Sequence, residues 1–253
     1  MASDPVETPQ IIEVADGFYV RQAVDNMAWI DMGDYAVVVD ALEQPHLAGE
    51  VMAEIDRTLG GKPVRYVLNT HTHYDHVALN GAFERLGAEI VNQETCSISS
   101  QGRWFDGRRR LKMLATPGCH TSEDCCVWCP EDRALLVGDI FGWGLIPCGA
   151  DTRRTIKILD ETYGRLIAFG ATTVVPGHGP VCATHELLRW VDYFHWLIDA
   201  ISKAHRAGDS ESQIAASLAP PEDMKRWWRF VQWKHEDSVA KVVKAVCSGE
   251  LGG

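Results

Sequence analysis

Four short apolar runs at the start of the chain predict antiparallel strands. The runs cover residues 11–14, 18–21, 28–31 and 35–40. Asp16-Gly17 and Gly33-Asp34 interrupt them with residue types that favour tight turns. The first forty residues are therefore expected to form β-hairpins.

Strands and helices alternate through the middle of the chain. Apolar residues recur every four positions from Leu47 to Leu59, which predicts a helix over residues 46–59 that ends at Gly60-Gly61. Further strands are predicted over residues 64–69, 89–92, 134–137 and 173–175, and further helices over residues 78–86 and 155–169. This alternation is typical of an α/β protein.

The last seventy residues have a different pattern, which is almost entirely helical. An apolar stripe with steps of three and four residues runs from Leu187 to Ile201 and ends before Gly208-Asp209. Residues 210–218 and 237–246 read as two further helices. No linker of low complexity precedes this segment, so we expect a helical extension over residues 184–253 that packs on a body formed by residues 1–183.

Composition narrows the class of partner. The chain has 253 residues, of which 46% are hydrophobic, and its formal net charge is −11. An acidic protein repels phosphate backbones, so nucleic acid is not an expected partner. The first ten residues carry no secretion signal and no apolar run reaches the roughly 18 residues that cross a bilayer. We expect a cytoplasmic protein without a membrane partner.

Eight cysteines are present. In a chain of this length without an export signal, we expect reduced and unligated thiols. Cys119, Cys125, Cys126 and Cys129 lie close together, so a structural zinc site or a redox role is the alternative. No second Cys-x-x-Cys pair follows at zinc-finger spacing.

Metal-binding side chains follow the predicted strand 64–69 directly. His71, His73, Asp75 and His76 fall within six residues. Imidazole and carboxylate groups suit zinc, iron or manganese. If the strand continues, residues 71 and 73 point the same way, while residues 75 and 76 can reach a second ion. A surface loop would rarely collect this set.

Three isolated candidates stand at later strand ends: His120, Asp139 and His178. Taken singly, they could be a turn residue, a helix cap and a loop residue. Each follows a short apolar or β-branched run and lies beside glycine or proline, which allows close approach of the backbone. Ligands of α/β proteins collect at the carboxyl ends of strands, so we expect these residues to join the first cluster.

The set His71-x-His73-x-Asp75-His76, His120, Asp139 and His178 resembles the metallo-β-lactamase superfamily in order and spacing. Asp139 and the segment around His120 make the glyoxalase II-like metallohydrolases the most similar group. The resemblance covers roughly residues 18–180. It implies an α/β fold, the metallo-β-lactamase-like αβ/βα four-layer sandwich, for residues 1–183, with the C-terminal helical extension added to it.

The resemblance also implies a ligand set. His71, His73 and His120 would bind one divalent ion, and Asp75, His76 and His178 a second. Asp139 would bridge the two ions, which are expected to be Zn²⁺, with iron or manganese as alternatives. A hydroxide shared by the ions would attack the carbonyl of a thioester, lactone or other ester-like small molecule. Asp75 would orient this nucleophile or move its proton.

Other activities of the superfamily remain to be weighed. Flavodiiron proteins usually carry glutamate where this chain has His73. The superfamily's RNA nucleases need an additional domain and a less acidic surface. A persulfide dioxygenase-like enzyme with one iron stays open as the alternative reaction class. A third possibility is a protein that keeps the fold and the metal for binding or regulation.

Substrate recognition is less defined by the sequence. The apolar segment 140–149 could line a substrate pocket or pack in the core. The tryptophans of the extension (Trp190, Trp196, Trp227, Trp228 and Trp233) could present an aromatic surface to substrate, pack within the protein or form the face of a homodimer.

The basic run from Arg103 to Lys112 is expected on an exposed loop or hairpin around Asp106-Gly107. It could be a solvent-facing surface or a clamp for an anionic group. The remaining histidines are each expected on the surface: His46, His185, His195, His205 and His235. For His235 the alternative is that it reaches the metal site from the helical extension.

Overall fold

The computed structural model describes residues 8–99, 101–147, 152–230 and 232–248, with the side chains of 152–155 excepted. Two compact units divide the chain. The first unit comprises the described residues within 1–117, 123–139 and 171–182. The second unit comprises those within 118–122, 140–170 and 183–253.

Twelve strands lie in the described part of the chain and form two six-stranded sheets. Their bounds are β1 Gln10–Ala15, β2 Phe18–Gln22, β3 Met27–Asp31, β4 Ala36–Val39, β5 Val64–Leu68, β6 Glu89–Val91, β7 Arg103–Asp106, β8 Arg110–Ala115, β9 Cys125–Cys129, β10 Ala134–Gly138, β11 Thr173–Pro176 and β12 Cys182–Ala183. The first sheet has the order β1-β2-β3-β4-β5-β6 and the second β12-β11-β10-β9-β8-β7. The pairs β4–β5 and β10–β11 are parallel, so each sheet brings parallel carboxyl ends together.

Eight α-helices connect or follow these strands in the described residues. Their bounds are α1 Ala48–Leu59, α2 Tyr74–Val77, α3 Asn80–Arg85, α4 Gln93–Cys96, α5 Thr152–Ala168, α6 Thr184–Ala207, α7 Glu211–Ser217 and α8 Gln232–Cys247. Short 3₁₀ turns occupy Pro45–Leu47 and Met224–Arg226.

The core of the first unit lies between its two sheets. Side chains of both sheets form one buried cluster that includes Phe18 and Val37 from the first sheet and Met113 and Val127 from the second. Because side chains alternate along a strand, the neighbours of Val37 in β4 point to the opposite face. The fully apolar strand β4 is therefore buried on both faces.

The outer face of the first sheet is covered by helices. Trp29 and Val38 of the sheet share a second buried cluster with Val51 and Ile55 of α1 and Phe83 of α3. The four-residue spacing that predicts α1 is the spacing of its buried face. The layers of the first unit are thus helices, the first sheet and the second sheet, in that order, as the predicted α/β sandwich requires.

The second unit is built around aromatic side chains. Trp190 of α6 is fully buried, and its indole nitrogen donates a hydrogen bond of 2.8 Å to the hydroxyl of Tyr163 in α5. Tyr163 in turn donates to the carbonyl of Ile140 at 3.0 Å. Tryptophan and tyrosine carry a polar atom that needs a partner when buried, and this chain of hydrogen bonds supplies it.

The sequence predicts most elements of the first sheet and the helices α1, α5 and α6, to within a few residues at each end. Strands β7 and β8 form the expected hairpin around Asp106-Gly107. The strand β9, which contains three cysteines, was not among the predicted strands.

No helix in the described ranges is long and apolar enough to cross a membrane.

Phe83 provides a test of the helical layer. It is fully buried, so we expect Phe83→Ala to lower the free energy of unfolding by about 3–5 kcal/mol through lost contacts and a residual cavity. Leu86 follows α3 and is 66% exposed, so Leu86→Ala should change stability by less than about 0.5 kcal/mol. Urea-induced unfolding measures both values; equal losses would contradict the assigned layer.

Candidate metal centre

The histidine-rich segment is a loop followed by a short helix. Strand β5 ends at Leu68, and α2 begins at Tyr74 with His73 at its N-terminal boundary. The predicted strand over residues 64–69 is thus confirmed to within one residue, and it does not continue through residues 71 and 73. The rings of His71 and His73 nevertheless lie 4.7 Å apart between centroids, because the loop folds back where the strand ends.

Four of the predicted ligands meet in the first unit with short distances between their side-chain atoms. His76 Nε2 lies 3.4 Å from Asp139 Oδ1, and His178 Nε2 lies 3.2 Å from Asp139 Oδ2. Asp75 Oδ2 is 3.3 Å from His178 Nε2 and 3.8 Å from His76 Nε2. Residues from α2, from the end of β10 and from the loop after β11 thus converge on one point.

His71 joins this group from the other side. Its ring lies 4.1 Å from the ring of His76 between centroids. His71, His76 and Asp139 each offer one potential ligand atom, and these three atoms lie within 4.8 Å of one another. The same holds for Asp75, His76 and His178, so two overlapping groups of ligand atoms share His76.

The carboxylate of Asp40 orients His76. Asp40 follows β4, is buried, and its Oδ2 lies 3.0 Å from His76 Nδ1. Its Oδ1 also accepts a 2.7 Å hydrogen bond from the backbone N–H of Thr70. A carboxylate behind one imidazole nitrogen directs the other nitrogen toward a metal, which is the usual arrangement around metal-bound histidine. The sequence shows Asp40 at a strand end but not this contact.

The loop between β2 and β3 holds His178 in a comparable way. His178 Nδ1 donates to the carbonyl of Val24 at 2.9 Å, and Asp25 Oδ1 lies 3.3 Å away. The side chain of Asn26 fixes this loop, because its amide donates to the carbonyls of Pro176 and Gly179. Nothing in the sequence pattern identifies this contact, since the acceptor at Val24 is a backbone atom.

Glycine is required at two positions beside the cluster. A Cβ atom at Gly177 would lie 2.2 Å from Asp139 Oδ1 and 2.9 Å from His76 Cε1. Gly138 has a φ of +52°, and a Cβ there would lie 2.5 Å from the hydroxyl of Thr70. The expectation that glycines permit close approach at these strand ends is confirmed.

The charges of the cluster favour the protonated form of the histidine His76 and the ionised forms of the carboxylates. Burial disfavours protonated His76, but attraction to Asp40 and contact with Asp139 outweigh it and raise the pKa to about 10. Burial disfavours the charged form of Asp75, but the hydrogen bond from His178 and the charge of His76 lower the pKa to about 2. Against the same effect of burial, His178 and His76 hold the pKa of Asp139 well below its usual range.

These residues fit a metal ion. Two ligand atoms of one tetrahedral zinc ion lie roughly 3.4 Å apart, which matches the contacts of Asp139 with His76 and His178. His76 Nε2 is buried and makes no hydrogen bond within the described residues. A buried polar atom without a hydrogen bond is costly unless a ligand satisfies it. The donor set of imidazoles and carboxylates suits zinc, iron or manganese.

His120 is placed by the structure in the second unit. It lies in the segment 118–122 and is partly buried. Its neighbour Cys119 is fully buried, and the thiol lies 3.4 Å from the hydroxyl of Thr162 in the same unit. The assignment of His120 to the first ion stays a prediction.

The basic run forms ion pairs within the first unit. Its members and their partners are Arg103 with Glu89, Arg108 with Asp16 and Asp31, Arg109 with Asp132, and Arg110 with Glu131. Lys112 instead lies over the ring of Trp104, with 5.1 Å between Nζ and the centroid. Since acidic neighbours already bind the guanidinium groups, this arrangement favours a charged surface over an anion clamp.

The apolar segment after Asp139 packs within the second unit. Phe141 and Trp143 are buried and contact Trp227, with centroid distances of 6.2 and 5.3 Å. This favours core packing for residues 140–147; residues 148 and 149 of the predicted segment lie outside the described residues. Trp196 and Trp233 remain exposed by 39% and 56%.

The expected surface position of His235 is wrong. His235 is buried in the second unit, where Nδ1 lies 2.8 Å from the hydroxyl of Tyr193 and Nε2 3.1 Å from the carbonyl of Leu218. The other four spare histidines are exposed. The helix predicted over residues 237–246 begins two residues after His235, whereas α8 begins at Gln232, so the sequence pattern did not place His235 on this helix.

Seven of the cysteines fall in the described residues and none of these forms a disulfide; Cys148 lies outside. Burial raises the pKa of Cys125 and of Cys129 to about 12, so both thiols are protonated at neutral pH. The groups of possible ligand atoms in the described residues contain no cysteine.

Comparison with known proteins relates the chain to one superfamily. The sequence model of the metallo-β-lactamase superfamily matches residues 23–89. A hydroxyacylglutathione hydrolase from Rhizobium meliloti is 30% identical over 159 residues, which cover 58% of this chain and 55% of that protein. A second hydroxyacylglutathione hydrolase, from Rhodospirillum rubrum, is 28% identical over 192 residues, covering 72% of this chain and 70% of that protein.

Coverage of the relatives is partial. A β-lactamase-like protein 2 homolog from Caenorhabditis elegans is 29% identical over 135 residues, which are 47% of this chain and 43% of that protein. The chain spans about half the length of the first curated relatives that it matches.

Solved structures share the fold. The stereoselective inverting sec-alkylsulfatase Pisa1 from Pseudomonas sp. has a TM-score of 0.73 at 15% identity, over 98% of this chain and 52% of that one. A metallo-β-lactamase from Hirschia baltica has a TM-score of 0.61 at 22% identity, over 74% of this chain and 97% of that one. At these identities the likeness concerns the fold alone, and it confirms the predicted fold class.

Asp40 offers a test of the centre. We expect Asp40→Asn to weaken zinc binding by about 10-fold or more, because His76 loses the charged partner that orients it. Asparagine tolerates the φ of +60° at this position, so the loop should be preserved. Competition with a chromogenic chelator measures the affinity. Asp56→Asn on the exposed side of α1 is the control, and equal zinc affinities for the two variants would exclude the orienting role.

Proposed function

We propose that this chain, which belongs to the metallo-β-lactamase superfamily, is a dinuclear metal-dependent hydrolase that cleaves a thioester, lactone or other ester-like bond in a small molecule. The observation that carries this proposal is the pair of overlapping ligand groups that share His76 and include Asp139. The names of the hydroxyacylglutathione hydrolases support a thioester as the bond that is cleaved.

We assign seven residues to the metal centre. His71, His73 and His120 would hold one ion, Asp75, His76 and His178 the second, and Asp139 both. Zn²⁺ is the expected metal, with iron or manganese as alternatives. Once bound, the two ions would lower the pKa of a water molecule and polarise the carbonyl of the substrate.

The protein's own residues prepare this chemistry. The carboxylate of Asp40 and the carbonyl of Val24 fix the nitrogens of His76 and His178 that face the cluster. Asp75 lies at the edge of the cluster with a side chain 17% exposed, where it can accept a hydrogen bond from the attacking water. We assign Asp75 to carry the released proton to the leaving group. In a thioester the carbon–sulfur bond breaks, a carbon–oxygen bond forms, and the proton ends on the thiol.

A thiol nucleophile is the less favoured route to the same products. The reactive form of cysteine is the thiolate, and burial holds the pKa of Cys125 and Cys129 at about 12. Attack by water activated at the metal centre does not require the deprotonation of a buried thiol.

Metal analysis combined with a substrate screen tests the proposal. The zinc-loaded protein should contain two ions per chain and hydrolyse at least one member of a panel of thioesters, lactones and β-lactams. One iron per chain with oxygen uptake on a persulfide would replace the hydrolase by the dioxygenase. A metal-replete sample without turnover on any member would leave a binding or regulatory protein.

Asp139→Ala should remove the ligand shared by the two ions. We expect the zinc content to fall from two ions to one, and kcat/KM to fall by more than about 100-fold. Mass spectrometry of the metal content and the best substrate of the screen measure these changes. Asp56→Ala in α1 is the exposed control. Retention of both ions and of activity in Asp139→Ala would contradict the bridging assignment.

A further inference from the structure

We propose that Arg21 forms a subsite for a single carboxylate of the substrate, in a cavity of the first unit beside the metal centre. This inference rests on the proposed hydrolase function and specifies its substrate class. It concerns a substrate whose carboxylate sits on a short aliphatic arm next to the bond that is cleaved.

The cavity adjoins the residues that orient His178. It has a volume of about 380 Å³, and its wall is formed in part by Val24 and Asp25. The carbonyl of Val24 and the carboxylate of Asp25 both contact His178 Nδ1. Glu43, another residue of the wall, lies close enough to Asp75 and His178 for its charge to interact with both, so the cavity adjoins the cluster. Cavities of this size are typical of small-molecule sites.

Arg21 is the cation of this cavity. Its side chain extends from β2 and the residue is only 7% exposed. In the described part of the chain, its guanidinium group makes neither a hydrogen bond nor an ion pair, in contrast to the side chains of Arg103, Arg108 and Arg109, which are all ion-paired. Burial accordingly lowers the pKa of Arg21.

A guanidinium group keeps its charge in proteins and offers a fork of donors that matches a carboxylate. Since a buried charge is costly unless it is paired, the cavity beside Arg21 is suited to an anionic group that supplies the pair.

The rest of the lining restricts the anion. Asp25, Glu43 and Glu50 also line the cavity and repel a bound anion, and this repulsion is larger for a phosphate group or another polyanion than for a single carboxylate. Leu42 and Leu47 contribute an apolar wall that can pack against methylene groups. One carboxylate on a short aliphatic chain satisfies both the single cation and the apolar wall.

Glu50 makes the inference sharply testable. It lies in the first turn of α1, and its negative charge attracts Arg21 without an ion pair. Glu50 therefore competes with a bound carboxylate for the same cation. Removal of Arg21 and removal of the charge of Glu50 should have opposite effects on the binding of a carboxylated substrate, which a purely structural role of Arg21 would not produce.

The experiment compares two thioesters of N-acetylcysteamine, the succinyl thioester and its neutral methyl ester, with the zinc-loaded enzyme. Arg21→Met should raise KM for the succinyl thioester by about 10-fold or more and leave KM for the neutral one unchanged. Glu50→Gln should lower KM for the succinyl thioester by about 3-fold. Arg21→Lys should restore part of the loss, and Arg85→Met, which removes an exposed arginine of α3, is the matched control.

Direct binding of monomethyl succinate, measured by calorimetry, separates this inference from the proposed function. Weaker binding to Arg21→Met than to the control, without hydrolysis by the wild type of either thioester or of any member of the panel of thioesters, lactones and β-lactams, would sustain the subsite and reject the hydrolase. Hydrolysis with equal KM changes for both thioesters, or Glu50→Gln without effect on the succinyl thioester, would overturn the subsite alone.

Discussion

The buried carboxylate of Asp40 is the contact on which the geometry of the metal centre depends. It accepts hydrogen bonds from the backbone N–H and the hydroxyl of Thr70 and lies against His76, so it joins the end of β4 to the histidine-rich loop and to α2. A carboxylate without water must be paired within the protein. That requirement fixes the loop, the ring of His76 and the backbone of Asp40, which is held at a φ of +60°.

The two sheets of the first unit position the other predicted ligands near this contact. Asp40 follows β4 and the histidines follow β5, which is parallel to it. Asp139 and His178 follow β10 and β11, the parallel pair of the second sheet. Because one buried core holds the two sheets together, the four strand ends deliver their polar residues to one place. The loop that carries Val24 and Asp25 contacts His178 and also lines the cavity of Arg21.

The sequence predicts features that depend on neighbouring residues better than features that depend on contacts between distant parts of the chain. The spacing of His71, His73, Asp75 and His76 is local, so the cluster could be recognised at once. The expected exposure of His235 was wrong, since the burial of a side chain on a helix is set by the packing of that helix. The ion pairs of Arg108 and Arg109 join residues that are distant along the chain, and no periodicity encodes them.

The sequence by itself determined the fold class, the resemblance to the superfamily, and a set of ligands at the ends of apolar strands. Those features follow from residue type, period and spacing, which are properties of short segments. Only the tertiary structure decided that His178 rests on a carbonyl 154 residues away and that Arg21 lines a cavity without a partner in the described residues. Such contacts form only when a shared core brings distant segments of the chain together, so they depend on the packing of that core and not on the local sequence.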